Sequence, residues 1–277
     1  MAEELGIAYL RAYLDSLGLS SFKTGANFAT AGSSIRKPGF SPFHLDVQIS
    51  QFRQFKARTI DIANSTHGKA DLPKPEDFSK ALYTFDIGQK DLSYSFHTTS
   101  ERETNASIPI LLYLFSKAVQ QLYSEGARVF WVHNTGPIGC QAFVDVKKPG
   151  ERDENGCFIS LNAVAQEFNS QLKSKLTQLK ANLTSAAFTY VDVYTAKYNL
   201  ISSAKSQGFV DPFDFCCCTR DIVVNGTVYA GPCAHPKKHI SWDGIHYSEA
   251  ANRWVANYIL NGSMSDPPIP INQACHA

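Results

Sequence analysis

Three short apolar runs, spaced by amphipathic stretches, constrain this 277-residue chain more than any other feature. They are 82–87 (LYTFDI), 128–133 (RVFWVH) and 188–193 (FTYVDV). Short runs without polar alternation, bounded by turn signals, read as strands buried on both faces. The Asn134-Thr135-Gly136-Pro137 sequence closes the second run as a strong turn. Between the runs, 108–123 and 161–179 carry apolar residues at helical spacing, and Pro109 suits a first helical turn. Helices are also predicted over 195–206 and 248–260, the latter with Ser248 as N-cap. Strands that alternate with helices predict βαβ units and a mostly parallel sheet, hence an α/β fold. In such sheets reactive groups sit on loops beyond the carboxyl ends of the strands. The loops after Ile87, after His133 and before Ser248 are therefore expected on one edge. The whole chain, 1–277, reads as one domain. Within it, 211–238 is a cysteine-rich excursion with a strand-like run at 222–229, and the tail from Asp266 is expected to run extended over the surface.

Composition narrows the partners. With 26 basic and 25 acidic residues, bulk charge gives no route to a nucleic acid or a membrane surface. The longest apolar stretch, 108–115, falls far short of the roughly 20 residues that span a bilayer. Seven cysteines and five Asn-x-Ser/Thr sequons, at Asn64, Asn105, Asn182, Asn225 and Asn261, point instead to the secretory pathway and N-glycosylation. Yet the opening Met1-Ala2-Glu3-Glu4-Leu5 has no basic and apolar leader pattern. The expectation is that the start is missing. Among the cysteines, Cys140 and Cys157 bracket a polar segment that needs a staple, and Cys233 is expected to bridge to one of Cys216 to Cys218, taken as Cys217.

Three local patterns carry chemistry. In SWDGIHYS, Asp243 and His246 stand three apart just before a helix. A carboxylate at that spacing reaches the imidazole Nδ1, fixes the tautomer and leaves Nε2 as a general base. The run GANFATAGSS, 25–34, has the small residues that let a backbone N–H approach a ligand oxygen. FDIGQKDL, 85–92, places polar side chains at a strand end. Taken singly, each also fits an ordinary capped loop or turn. Cys216 to Cys218, Cys233, His235 and His239 match no standard zinc spacing, and disulfides take precedence in an oxidising compartment, so no metal or other cofactor is called.

Four blocks, in order, resemble the plant GDSL-type esterase/lipase family of the SGNH hydrolase superfamily: GANFATAGSSI, LYTFDIGQKDL, VFWVHNTGPIGC and SWDGIHYSEAAN. The likeness extends over essentially the whole chain. It implies a three-layer α/β/α fold with a flavodoxin-like parallel sheet, secretion, and metal-free hydrolysis of carboxylic esters. Carried over by position, Asp243 and His246 match the family's acid and base, and Gly32 its oxyanion glycine, with Ala31 where many relatives have a second glycine. The family's Gly-Gln-Asn-Asp block donates to the oxyanion through its Asn; that position here is Lys90. The family's nucleophilic serine belongs to a Gly-Asp-Ser motif on the first strand, and no Gly-Asp-Ser occurs in this chain. First strand, nucleophile and leader are therefore expected to be missing together, which leaves an inner strand without a neighbour.

Two functions follow from this reading. One is an ester hydrolase acting on a small-molecule, lipid or glycan ester. The other is a non-catalytic relative whose cleft binds a glycan, lipid or protein partner, a reading favoured by Lys90 and by the lack of Gly-Asp-Ser.

Overall fold

The computed structural model describes residues 1–15, 21–65, 72–142 and 150–274. In chain order its elements are β1 (Arg11–Ala12), β2 (Ala26–Asn27), α1 (Leu45–Asn64), α2 (Asp77–Lys80), β3 (Leu82–Phe85), α3 (Gln89–Thr98), α4 (Glu101–Ser124), β4 (Val129–His133), α5 (Ile159–Asn182), β5 (Ala187–Val191), α6 (Val193–Ser202), β6 (Arg220–Val224), β7 (Thr227–Gly231), α7 (Glu249–Leu260), β8 (Ser265–Asp266) and α8 (Ile271–Ala274).

The main sheet has the order β3-β4-β5-β8. Its first three strands are parallel, with Phe130 opposite Tyr83 on one side and Phe188 on the other. All five residues of β4 are buried, as its unbroken apolar run demands. Alternate side chains of β4 serve two cores. Phe130 and Val132 pack with residues of α1, α4 and α5, while Trp131 packs with residues of α6, α7 and α8. That alternation is the physical basis of the three-layer α/β/α architecture.

The structure differs from the sequence-based expectation in several places. Helix α4 starts at Glu101, eight residues before Pro109. Its start is a capping box: Ser100 accepts from the Glu103 N–H, and Glu103 accepts from the Ser100 N–H. Pro109 therefore lies inside the helix, on its exposed side. There water can reach the Asn105 carbonyl that the proline leaves unpaired. The strand-like run at 222–229 is the hairpin β6–β7, closed by Asn225 and Gly226 at φ +49° and +76°. The tail does not merely lie on the surface. Strand β8 joins the sheet antiparallel to β5, and Ile271 and Ala274 are buried. Finally, α1 and α3 are helices that the sequence pattern did not single out.

Disulfides join Cys140 to Cys157 and Cys216 to Cys233. The expected use of Cys217 is thus corrected: Cys217 is a free thiol, as is Cys218 beside it. The second bridge closes through Cys216, which is buried and whose carbonyl and sulfur both receive the Cys233 N–H. Among the described residues, β3 pairs with β4 only, and β1 and β2 form a separate two-stranded parallel ladder.

Candidate active site

The segment before α7 is held at both ends. Ser248 caps α7 by accepting the Ala251 N–H, and its hydroxyl donates to the His239 carbonyl at 2.6 Å. The Trp242 N–H donates to the His246 carbonyl at 2.7 Å, closing the turn between them. Gly244 sits inside that turn at φ +93°, in the left-handed region that favours glycine. From the other side, the Cys216 N–H donates to the Trp242 carbonyl at 2.9 Å, so the Cys216–Cys233 bridge braces the same turn.

Within it, Asp243 Oδ1 accepts the N–H groups of Ile245 and His246 at 2.9 and 2.8 Å. Its Oδ2 lies 2.6 Å from His246 Nδ1. Burial pushes the Asp243 carboxyl upward, but the His246 and Ile245 amides and the imidazole outweigh it and hold the group below the usual range. An ionised Asp243 accepts the Nδ1 proton, which leaves the lone pair on Nε2. The His246 side chain is 64% exposed.

Lys90, in the helix that follows β3, lies within electrostatic reach of Asp243. Gly88, three residues past the end of β3, caps α3 at φ +114°, and a Cβ there would lie 2.5 Å from the Phe168 ring. No other residue fits, so the chain turns sharply and delivers Lys90 in the first turn of α3. Its ammonium is half-buried, which lowers its pKa against the opposing pull of Asp243. Its Nζ stands 5.9 Å from the centroid of the Phe40 ring. Phe40 in turn packs on the Gly32 turn: the point a Gly32 Cβ would occupy is 3.6 Å from the Cβ atoms of Phe40 and Ser41. Gly32 itself adopts φ +76°. Packing thus links Gly32 through Phe40 to Lys90, and Lys90 lies within electrostatic reach of Asp243.

Two features here escaped the sequence reading. Asp91, next to Lys90, is buried and accepts the Ile35 N–H at 2.7 Å and the Arg36 N–H at 3.1 Å. At the ends of β3 and β4, Trp131 Nε1–H donates to His133 Nε2 at 3.0 Å, which turns His133 Nδ1–H toward Asp86 Oδ2 at 3.4 Å. Desolvation works against the Asp86 charge, yet His133 and nearby Lys197 hold its carboxyl below the usual range. The only sequence signal for either was position, since both aspartates flank the glycine turn in FDIGQKDL.

Of the sequons, Asn105, Asn182, Asn225 and Asn261 are exposed, and the side chain of Asn64 lies outside the described residues. No group of three or more metal-ligating side chains occurs among the described residues. No helix among them is long and apolar enough to cross a membrane.

Comparison with known proteins places this geometry in context. Residues 2–259 match the family model described as GDSL-like Lipase/Acylhydrolase. The chain is 52% identical to the Arabidopsis thaliana protein named GDSL esterase/lipase At3g27950, over 99% of this chain and 78% of that protein. It is 46% identical to the Zea mays protein named GDSL esterase/lipase ACHE, over 100% of this chain and 77% of the relative. To a Hevea brasiliensis protein named Esterase it is 45% identical, again over 100% and 77%.

Proposed function

Because the chain belongs to the GDSL-like lipase/acylhydrolase family, whose named plant relatives are esterases and lipases, we propose that it carries the acid–base and oxyanion groups of a serine ester hydrolase. The observation that carries this reading is the 2.6 Å contact between Asp243 Oδ2 and His246 Nδ1 on a braced turn, with the imidazole largely exposed. His246 takes the proton of the attacking serine hydroxyl and then returns it to the departing alcohol oxygen. Asp243 holds the tautomer and balances the imidazolium. The Gly32 N–H and the Lys90 ammonium receive the charge that develops on the carbonyl oxygen. Lys90 supplies a full positive charge where the family pattern has an amide. The nucleophile belongs to a Gly-Asp-Ser tripeptide, which is not among these 277 residues.

The substrate class follows from the same reading as a carboxylic ester of a lipid, glycan or small alcohol. Four exposed sequons and two disulfides support an extracellular, glycosylated protein. Expression in a secretory host should give a mass shift that glycan-removing amidase reverses.

Hydrolysis of p-nitrophenyl acetate tests the mechanism, with the chain assayed alone and with a Gly-Asp-Ser segment joined ahead of Met1. The chain alone is expected at background. The joined protein is expected to be active and to lose at least about 10³-fold in kcat with His246→Ala. Lys90→Ala is expected to cost it about 10²-fold. If the chain alone matches the joined protein within about tenfold, and His246→Ala abolishes that activity, another serine is the nucleophile and the assignment fails.

A further inference from the structure

We propose that Asp91 is a positioning residue of the oxyanion site, a carboxylate clamp that sets the Gly32 amide relative to Lys90. The inference rests on the reading above, in which Gly32 and Lys90 receive the oxyanion. Asp91 uses both carboxylate oxygens on two consecutive amides, Ile35 N–H on Oδ2 and Arg36 N–H on Oδ1. A fork of that kind fixes the direction of the turn as well as its distance. The turn lies three residues from Gly32, and the clamp is the residue after Lys90, so both oxyanion donors are referred to one helical turn of α3.

The rest of the Gly32 segment has little internal freedom, which lets the clamp act at a distance. Ser34 Oγ donates to the Arg36 carbonyl at 2.7 Å and lies 3.1 Å from His44 Nδ1, with both residues buried. The Ser34 carbonyl accepts the Leu45 N–H at 3.0 Å, and Ser33 Oγ donates to the Phe43 carbonyl at 2.6 Å. The segment from Gly32 to Arg36 is therefore a rigid turn pinned to the start of α1, and Asp91 is its tie to α3. The charged and titratable groups around the clamp are Arg36 on the turn, His44 behind Ser34, and Lys90 on its own helix. Burial lifts the Asp91 carboxyl to about 6 against the pull of the two amides and Arg36, so the clamp is switched within an accessible pH range.

The test follows amide resonances of the isotopically labelled 277-residue chain between about pH 5 and 8. Ile35 and Arg36 amide protons are expected to shift with one common midpoint near 6, and Gly32 to follow with the same midpoint. After correction for intrinsic rates, Ile35 and Arg36 N–H exchange is expected to be at least about tenfold faster below that midpoint than above it. Asp91→Asn is expected to remove the shared midpoint, the Gly32 shift included, and to leave Ile35 and Arg36 exchange fast throughout. If Ile35 and Arg36 titrate with Asp91 while Gly32 responds to neither pH nor Asp91→Asn, the carboxylate is structural only and the proposal is overturned. If none of the three titrates, the clamp itself is refuted. The wild-type titration decides both points even if Asp91→Asn does not fold. None of these readouts depends on hydrolysis, so an inactive Gly-Asp-Ser fusion would sink the ester-hydrolase reading and leave this result standing.

Discussion

Asp91 is the residue whose energetics run most plainly against folding. Its carboxyl titrates near 6 in the folded chain, against an ordinary value of 3.8. Below about pH 4 both the folded and unfolded chains hold the proton. Between there and pH 6 the unfolded chain releases it first, so stability falls as pH rises through that window and stays lower above it. Two units correspond to about 3 kcal/mol. The unfolding free energy of the wild type minus that of Asp91→Asn should therefore drop by about 2–3 kcal/mol between pH 4 and 7 in urea titrations. A difference that stays flat with pH would show that Asp91 is not the desolvated group described here. Asp243 behaves oppositely. Its folded carboxyl is depressed, so the stability it contributes is present above the ordinary carboxylate range and is lost on acidification. One loop is stabilised by its charge while the neighbouring clamp holds a charge at a cost, a pattern found where a group serves chemistry before stability.

Among the elements, two small devices set chain direction around the sheet. The Ser100–Glu103 capping box starts α4, the longest helix on the α1/α4/α5 side along with α5. Ser100→Ala is expected to lower stability by about 1 kcal/mol in thermal or urea unfolding. The Cys140–Cys157 bridge spans a sequence separation of 17 just beyond β4. Its removal by paired serine substitution is expected to cost about 3 kcal/mol. A loss below about 1 kcal/mol would mean that the segment is held by packing alone. Both elements were partly legible beforehand. The two cysteines flank a polar stretch, whereas Pro109 sets the expected helix start at 108, seven residues after the Ser100–Glu103 box begins α4 at Glu101.

At the scale of the whole molecule, one margin of the main sheet has no paired neighbour among the described residues. Among the described residues, β3 pairs with β4 on one side only, and Thr84 on that strand is exposed. Tyr9, Leu10 and Leu14 add exposed apolar surface beside β1. An unpaired strand edge with apolar surface nearby templates association between chains. The 277-residue chain is therefore expected to self-associate at micromolar concentration, and Thr84→Lys to reduce light scattering at equal concentration without loss of helical signal. Scattering unchanged by Thr84→Lys would place the sticky surface elsewhere.

What the sequence determined by itself is whatever depends on neighbours along the chain. Apolar runs with no polar alternation made buried strands, helical spacing made the crossovers between them, and Asp243 and His246, three residues apart, were bound to meet in one turn. Tertiary structure alone decided the pairings between distant segments. It chose Cys216 over Cys217, folded the tail into the sheet as β8, and brought Asp91 onto Ile35 and Arg36. The reason is that such contacts carry no local signature. A carboxylate, a thiol or a backbone edge has many chemically equivalent partners along the chain, and only the packing of the layers settles which one lies within reach.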